Sequence, residues 1–298
     1  MRNRVQGASQ SYVWACLLCL SLSEMTAAAQ FHSGSGKTAA VAEKQNEEAG
    51  HWLITQMALL EGLRQIPEQI DMGLQQAQAQ GMPLELAKVV QRSGREVYDL
   101  KQLEPQALAL LLKSLGPEHL QAWTVFYKTP LGQKIAVADI QGASAQTMGF
   151  VMENAPKIMA ELAADTTRMA LIQSVVDAGQ SLDRAVSMNM AMSLTMEWAM
   201  VSAMPDQPGK PTFRQLKDHV EQQRFVMRSQ MSQWVLAHAA HVHKSLSISE
   251  LQQLLSQANS PAGQALFRDF GQVFADWMNQ YALRFGQSVQ QGLKKQGV

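Results

Sequence analysis

Methionines recur at every fourth position along one segment of the chain, between residues 188 and 204. On a helix, side chains at this spacing form one slowly drifting stripe. Thioether sulfurs are soft ligands that suit Cu(I), so copper binding is one interpretation. We favour a flexible core face, because methionine fills irregular gaps, and an adaptable groove for an apolar partner is a third interpretation. The residues of this methionine stripe are Met188, Met192, Met196, Met200 and Met204.

Three histidines lie close together near residue 240. His238 and His241 are three positions apart, so they could share a helical face and chelate a divalent ion. The cluster, which also contains His243, has no Asp or Glu to orient its rings, and Glu250 is the nearest acid downstream. We therefore favour solvated or partly packed histidines. We predict no cofactor, and the candidate metal ligands are Met188, Met192, Met196, Met200, His238 and His241.

The sequence offers little support for catalysis. No G-x-S-x-G phrase occurs, and no pair of carboxylates stands out for acid–base work. Residues 34–38 read GSGKT, but Phe31 occupies the position where a phosphate-binding loop needs its first glycine. We therefore favour a non-catalytic role and predict no catalytic residue. A hydrolase with an unrecognised site remains an alternative, as does periplasmic copper handling by the methionine stripe.

A turn phrase that joins two helices occurs twice, and its copies are 131 positions apart (residues 129 and 260). Thr129 and Ser260 are suitable N-caps, and the proline after each fits the first position of the new helix. A glycine follows about one turn into each helix, where it normally costs stability, so we expect a close helix crossing there. A fixed internal spacing predicts a tandem duplication. The phrases consist of Thr129, Pro130 and Gly132 in the first copy, and of Ser260, Pro261 and Gly263 in the second.

The first phrase resembles the signature of a bacterial family of unknown function. Residues 126–134 read FYKTPLGQK, which is similar to the FYxTPxGxK phrase of exported helical proteins. The second copy has Gln257 and Ala258 in place of the aromatic residues Phe126 and Tyr127. If the aromatic pair binds something, only the first copy retains that ability. The resemblance implies a helical fold and export, and it assigns no catalytic residue.

The N-terminus predicts export. Arg2 and Arg4 precede an apolar stretch over residues 12–22, which is too short to span a bilayer. Three alanines at 27–29 form a small-residue cleavage site. We therefore expect residues 1–29 to be a signal peptide, with no stable membrane insertion after its removal and a periplasmic or secreted protein. Cys16 and Cys19 are the two cysteines of the chain, so the mature protein has neither disulfides nor thiolate ligands.

The charge of the chain is balanced, with 25 basic and 25 acidic residues. No basic stripe or cluster occurs, which argues against nucleic acid as a partner. The apolar fraction of 46% is sufficient for a large hydrophobic core. The remaining partners are an unknown protein or a small apolar ligand.

Helical periodicity dominates the sequence and predicts an all-α fold. We expect a disordered linker over residues 30–44, a first helical repeat over 45–162 and a second over 163–298. The last helix, from Pro261, carries a wide apolar face that must pack on another surface. The members of that face are Leu266, Phe270, Phe274, Trp277, Tyr281 and Phe285.

The expected function is that of a non-catalytic binding, scaffold or interaction protein of the cell envelope. An open groove lined by the methionines would favour binding. Converging sulfurs or imidazoles would favour metal handling. A buried polar cluster in a cleft would favour an enzyme.

Overall fold

The computed structural model describes residues 36–79, 81–203 and 208–296. Every regular element in these ranges is helical and none is a strand, so the predicted all-α class is confirmed. The expected signal peptide, residues 1–29, lies outside the described residues. None of the described helices combines the length and the apolar character that crossing a membrane requires.

The described part of the first half contains six helices. Their bounds are α1 Gly36–Gln56, α2 Leu59–Ala79, α3 Leu84–Val97, α4 Leu100–Lys128, α5 Pro130–Gly142 and α6 Ala145–Ala163. Helix α4 bends at Gly116, whose φ of 66° lies in the left-handed region. Helix α1 begins at Gly36, so it occupies part of the segment 30–44 that we predicted to be a disordered linker.

Among the residues of the second half that the structure describes, there are seven α-helices and one π-helical segment. Their bounds are α7 Thr166–Ala178, α8 Ser181–Ala203, α9 Phe213–Gln222, α10 Arg224–Val242, α11 Ile248–Ala258, α12 Pro261–Gln264 and α13 Gly271–Gln296. The π-helical segment, Ala265–Phe270, connects α12 directly to α13. Residues 261–296 therefore form one nearly continuous rod, whereas α5 and α6 are separated by a short break.

The helices of the two halves follow one another in a similar order. Ala58 joins α1 to α2 with a φ of 57°, and Gln180 joins α7 to α8 with a φ of 46°. No other described residue except glycine has a positive φ. In each half a bend or break then precedes the helix that leads into the proline turn: Gly116 in the first, residues 243–247 in the second.

The two proline turns have nearly the same hydrogen bonds. The Thr129 hydroxyl accepts a bond from the Gly132 amide, and the Ser260 hydroxyl accepts one from the Gly263 amide, each at 3.0 Å. Each hydroxyl also donates, at 2.7 Å, to the carbonyl three residues earlier. Both residues are therefore N-caps that also tie the new helix to the end of the old one.

The reason for the two glycines differs from our expectation. A Cβ atom on Gly132 would collide with the Phe126 carbonyl oxygen, and one on Gly263 would collide with the Ala258 carbonyl oxygen. The obstacle is the backbone at the end of the preceding helix. It is not a separate crossing helix, because the tight reversal itself leaves no room for a side chain.

The two halves share one hydrophobic core. The apolar face of the last helix is buried, as predicted, and α13 packs on α8 and on α3 of the first half. Helix α6 packs on α10 of the second half. The buried Trp123 indole donates a 2.7 Å hydrogen bond to the carbonyl of Ala262 in the second turn. Lys134 pairs with Glu250 across the halves at 2.9 Å.

Candidate functional site

A cavity of about 190 Å³ lies where the two halves meet. Its walls come from α4 and α5 of the first half and from α7, α8, α10, α11, the π-helical segment and α13 of the second. The junction between α1 and α2 also contributes. An apolar cavity of about 150 Å³ is known to admit benzene, so this volume suits a ligand of that scale or slightly larger.

Corresponding positions of the two halves line this cavity together. Four pairs of lining residues are separated by the same 131 positions as the two proline turns. The first member of each pair lies on α4, on α5 or just after α5, and the second lies on α11, the π-helical segment or α13. The cavity is therefore a joint product of both halves. The pairs are Trp123 with Leu254, Tyr127 with Ala258, Ile135 with Leu266, and Ala143 with Phe274.

Asp139 places a carboxyl group on the cavity wall contributed by α5. Burial raises the pKa of Asp139 to about 7. The pKa of Tyr127 is also raised, first by burial and then by the charge of Asp139. Neither side chain makes a hydrogen bond to another residue of the described ranges. These polar groups therefore remain available to a molecule in the cavity.

Two histidines of α10 and its C-terminal end face the same cavity. The His238 Nε2–H donates to the Gly142 carbonyl at 3.1 Å, which leaves Nδ1 as an acceptor. Burial lowers the pKa of His238 to about 4, and burial followed by the neighbouring His238 lowers that of His243 to about 4. Both rings are neutral at neutral pH. The His243 Nδ1 is buried without a hydrogen-bond partner.

Arg184 contributes the cationic group of the wall. It lies early in α8 and is only 6% exposed. Its guanidinium donates to the carbonyl of Gly179, at the end of α7. The cavity thus combines one carboxyl, one phenol, two neutral imidazoles, one guanidinium and the hydroxyl of Ser181 with largely apolar walls.

The predicted residues around the first turn divide between the cavity and the turn itself. Tyr127 is buried and lines the cavity. Phe126 is half-buried and packs edge-on against Trp123, with ring centroids 5.5 Å apart. The remaining predicted residues build the starts of α5 and α12: Thr129, Pro130, Gly132, Ser260, Pro261 and Gly263.

The two histidines proposed as metal ligands have different neighbours. His238 faces Gly142, whereas the His241 ring packs on Phe150 with centroids 4.9 Å apart. Within the described ranges, no three His, Cys, Asp or Glu residues form a group that could hold a metal ion.

The described methionines of the stripe pack against the hydrophobic core. Met188 and Met192 are half-buried, and both lie beside Met278 of α13. The side chains of Met196 and Met200, and all of Met204, lie outside what the structure describes. For those three residues the core and copper interpretations remain predictions.

Sequence reasoning missed Asp139 and Arg184. The available indication for Asp139 was its position on α5, where it follows the buried Ile135 by four residues and precedes the buried Gly142 by three. A single acid on an apolar helical face is unusual, because burying a carboxylate without a partner is costly. For Arg184 we find no comparable indication in the sequence.

Comparison with known proteins gives one family. Residues 101–162 match a family described as an uncharacterized protein conserved in bacteria (DUF2059). No curated protein and no solved structure matches the chain. The matched residues run from α4 through α6 and include Trp123, Tyr127 and Asp139. Over these residues, the chain is similar to a bacterial family of unknown function.

Proposed function

We propose that this protein binds a small, mainly apolar molecule that carries a polar group, in the cavity between its two halves. The role is non-catalytic and belongs to the cell envelope, since the N-terminal 29 residues read as an export signal. The binding site and the compartment are separate parts of the proposal. The first rests on the geometry of the cavity and the second on the sequence alone.

The cavity's unpaired polar groups carry the proposal. Buried polar groups in folded proteins are usually hydrogen-bonded to protein or to ordered water. The His243 Nδ1 is buried without a hydrogen-bond partner in the described chain. Asp139 and Tyr127 line the same cavity, and their side chains make no hydrogen bond to another described residue. A ligand could fill the apolar space of the cavity and at the same time form hydrogen bonds to these polar groups.

We also propose that the two halves arose by duplication. The support is the similar order of helices, the positive φ values at Ala58 and Gln180, and the matching bonds of the two turns. The four pairs of cavity residues at constant spacing add to it. Under this proposal both copies contribute to the wall of the cavity, so a single unduplicated half would have only part of it.

A neutral probe tests the binding function. Benzyl alcohol has an aromatic ring and one hydroxyl, and it suits the volume of the cavity. At about ten times its Kd it should stabilise the native protein by about 1.4 kcal/mol, seen as a higher Tm. Ala258→Tyr, which gives the second half the larger residue of the first, should fill the cavity and abolish the shift.

A matched control places the same side chain elsewhere. Val137 is 56% exposed on the outer face of α5, so Val137→Tyr should keep the full shift. Ala143→Phe fills the cavity from another wall and serves if Ala258→Tyr does not fold. Equal shifts in the wild type and in a folded cavity-filling variant would place binding elsewhere and contradict the proposal.

Acid–base catalysis in the same cavity is a second candidate. It is favoured by the pKa of Asp139, since a carboxyl that titrates near 7 can donate and accept protons at neutral pH. Hydrolysis of small benzyl esters would be compared between the wild type and Asp139→Asn. A rate that is lost in the variant supports catalysis, and equal rates remove this candidate.

A further inference from the structure

The carboxyl group of Asp139 lies in the cavity without a cationic partner. Burial is the cause that raises its pKa, and no positive charge of the described chain acts to lower it. The cationic side chain of the cavity wall is Arg184, whose guanidinium donates a hydrogen bond to the carbonyl of Gly179 at the end of α7. An ionised carboxylate in such surroundings is stabilised by any cation that enters the cavity.

Aromatic rings surround much of the remaining space. Trp123, Tyr127, Phe267 and Phe274 all line the cavity. The Trp123 ring is fixed by its bond to the second turn and lies 5.7 Å from the Tyr127 ring and 5.5 Å from the Phe267 ring, between centroids. Aromatic faces attract organic cations, and their carbon surface also packs against apolar groups.

The two histidines of the wall add acceptors and no positive charge. Because their pKa values are lowered to about 4 by burial, both imidazoles are neutral above about pH 5. The His238 Nδ1 can accept an N–H bond, as can whichever His243 nitrogen carries the lone pair. A ligand whose charged nitrogen carries several N–H donors could donate hydrogen bonds to the carboxylate, the phenol oxygen and the two imidazole nitrogens.

We propose that the cavity binds an organic ammonium ion of about benzylamine size, with its charged nitrogen at Asp139 and its hydrocarbon part against Trp123 and Phe267. This inference rests on the proposed binding function and specifies its ligand. Charge, hydrogen-bond donors and apolar surface are each matched by a group of the wall. The ligand is defined here by chemistry and size alone.

Three probes of similar size separate this inference from the proposed function. Benzylamine is cationic, benzyl alcohol is neutral and benzoate is anionic. Isothermal titration of the mature protein near pH 8 should give benzylamine an affinity at least about tenfold above that of benzyl alcohol, the value expected for one charged hydrogen bond. Benzoate should bind more weakly than either, because Asp139 repels it.

Asp139→Asn is the decisive variant. It should lower the affinity for benzylamine about tenfold or more and change the affinity for benzyl alcohol by less than about twofold. In the wild type, the affinity for benzylamine should also rise from about pH 6 to about pH 8 as Asp139 ionises. Tyr127 and both histidines stay neutral over that range and Arg184 stays charged, so Asp139 is the group that titrates.

The outcomes are distinct. If benzyl alcohol or benzoate binds at least as well as benzylamine, or if Asp139→Asn leaves benzylamine unchanged, the ammonium inference is wrong while cavity binding stands. If none of the three probes binds, both proposals fail. The inference is supported if the wild type prefers benzylamine to benzyl alcohol and Asp139→Asn loses this preference. In that variant the affinity for benzylamine should also be independent of pH.

Discussion

The two walls of the cavity differ more than the two turns that precede them. The first half places Trp123 and Tyr127 on the wall where the second half, 131 positions later, has Leu254 and Ala258. It also contributes Asp139, whose counterpart Phe270 does not line the cavity. At these two positions a large aromatic side chain with a polar atom corresponds to a smaller, purely apolar one, whereas Ala143 of the first half corresponds to the larger Phe274. The carboxyl and phenol groups of the cavity both come from the first half.

The turns, by contrast, keep the same backbone despite different residues. A threonine caps one helix and a serine the other, with equal bond lengths at each. In both, a glycine is needed because a Cβ would meet a backbone oxygen. The backbone geometry is the common element of the two halves, and the side chains of the wall are where they diverge.

Substitution of the two turn glycines tests whether the two turns share the same backbone geometry. Gly132→Ala and Gly263→Ala should each lower the free energy of unfolding by about 3 kcal/mol, because overpacking here displaces backbone and not a flexible side chain. Urea denaturation measures both. Gly149→Ala on α6 is the control, since nothing lies near its Cβ position, and alanine there should be neutral or slightly stabilising. If only one of the two variants lost stability, the two turns would not be equivalent.

Trp123→Leu makes the first wall like the second. The variant removes the bond from the indole to the Ala262 carbonyl and part of a buried ring. We expect a loss of about 2–3 kcal/mol from the lost contacts together with an unpaired buried carbonyl. Thermal and urea unfolding would measure it. An unchanged stability would show that the Trp123–Ala262 contact does not hold the halves together.

Asp139→Asn tests the polarity of the first wall through its pH dependence. The pKa of Asp139 in the folded protein, about 7, lies above its ordinary value, so folding favours the protonated form. Its favourable contribution is complete below the ordinary value of 3.8 and is lost as the pH rises through about 7.

The variant should therefore gain stability relative to the wild type as the pH rises, on the order of 2 kcal/mol by pH 8. The histidines act in the opposite sense, because the pKa values of His238 and His243 are lowered and the folded protein loses stability as the pH falls toward 4. Both histidines are present in the wild type and in the variant, so their effect cancels in the comparison. Unfolding free energies from about pH 5 to about pH 8 give the difference directly. A constant difference would show that Asp139 does not titrate abnormally.

The caps give the smallest effect. Thr129→Ala and Ser260→Ala should each cost about 1 kcal/mol through the loss of the cap. The two losses should agree closely, because the bonds of the two caps have equal lengths. Unequal losses would mean that the surroundings of the turns, and not the caps, determine their stability.

The local features could be predicted from sequence. Helical periodicity gave the fold class, and the Thr-Pro and Ser-Pro phrases located two helix starts. The apolar spacing after Pro261 indicated a buried face. Each of these depends on residues that are close in the chain, where propensity and capping act directly.

The cavity could not be predicted, because its wall joins residues that are far apart in sequence. Tyr127 was considered, but its neighbours Asp139, Arg184 and His243 come from three other parts of the chain. A close contact was predicted at the two glycines, but the expected partner was another helix, whereas the observed partner is the backbone at the end of the preceding helix. This contact depends on the exact backbone geometry of the turn, which the sequence does not specify. His238 and His241 share a helix, yet tertiary packing gives them different partners.

The most direct test of the central claim is to map where a neutral probe binds. Benzyl alcohol would be titrated into isotopically labelled protein, with NMR shifts followed at backbone amides and at the Trp123 indole N–H. We expect saturable shifts in both halves, at Trp123 and Tyr127 and at Leu254 and Ala258, and we expect these shifts to be lost in Ala258→Tyr. Shifts confined to one half or to the outer surface would contradict a shared binding cavity.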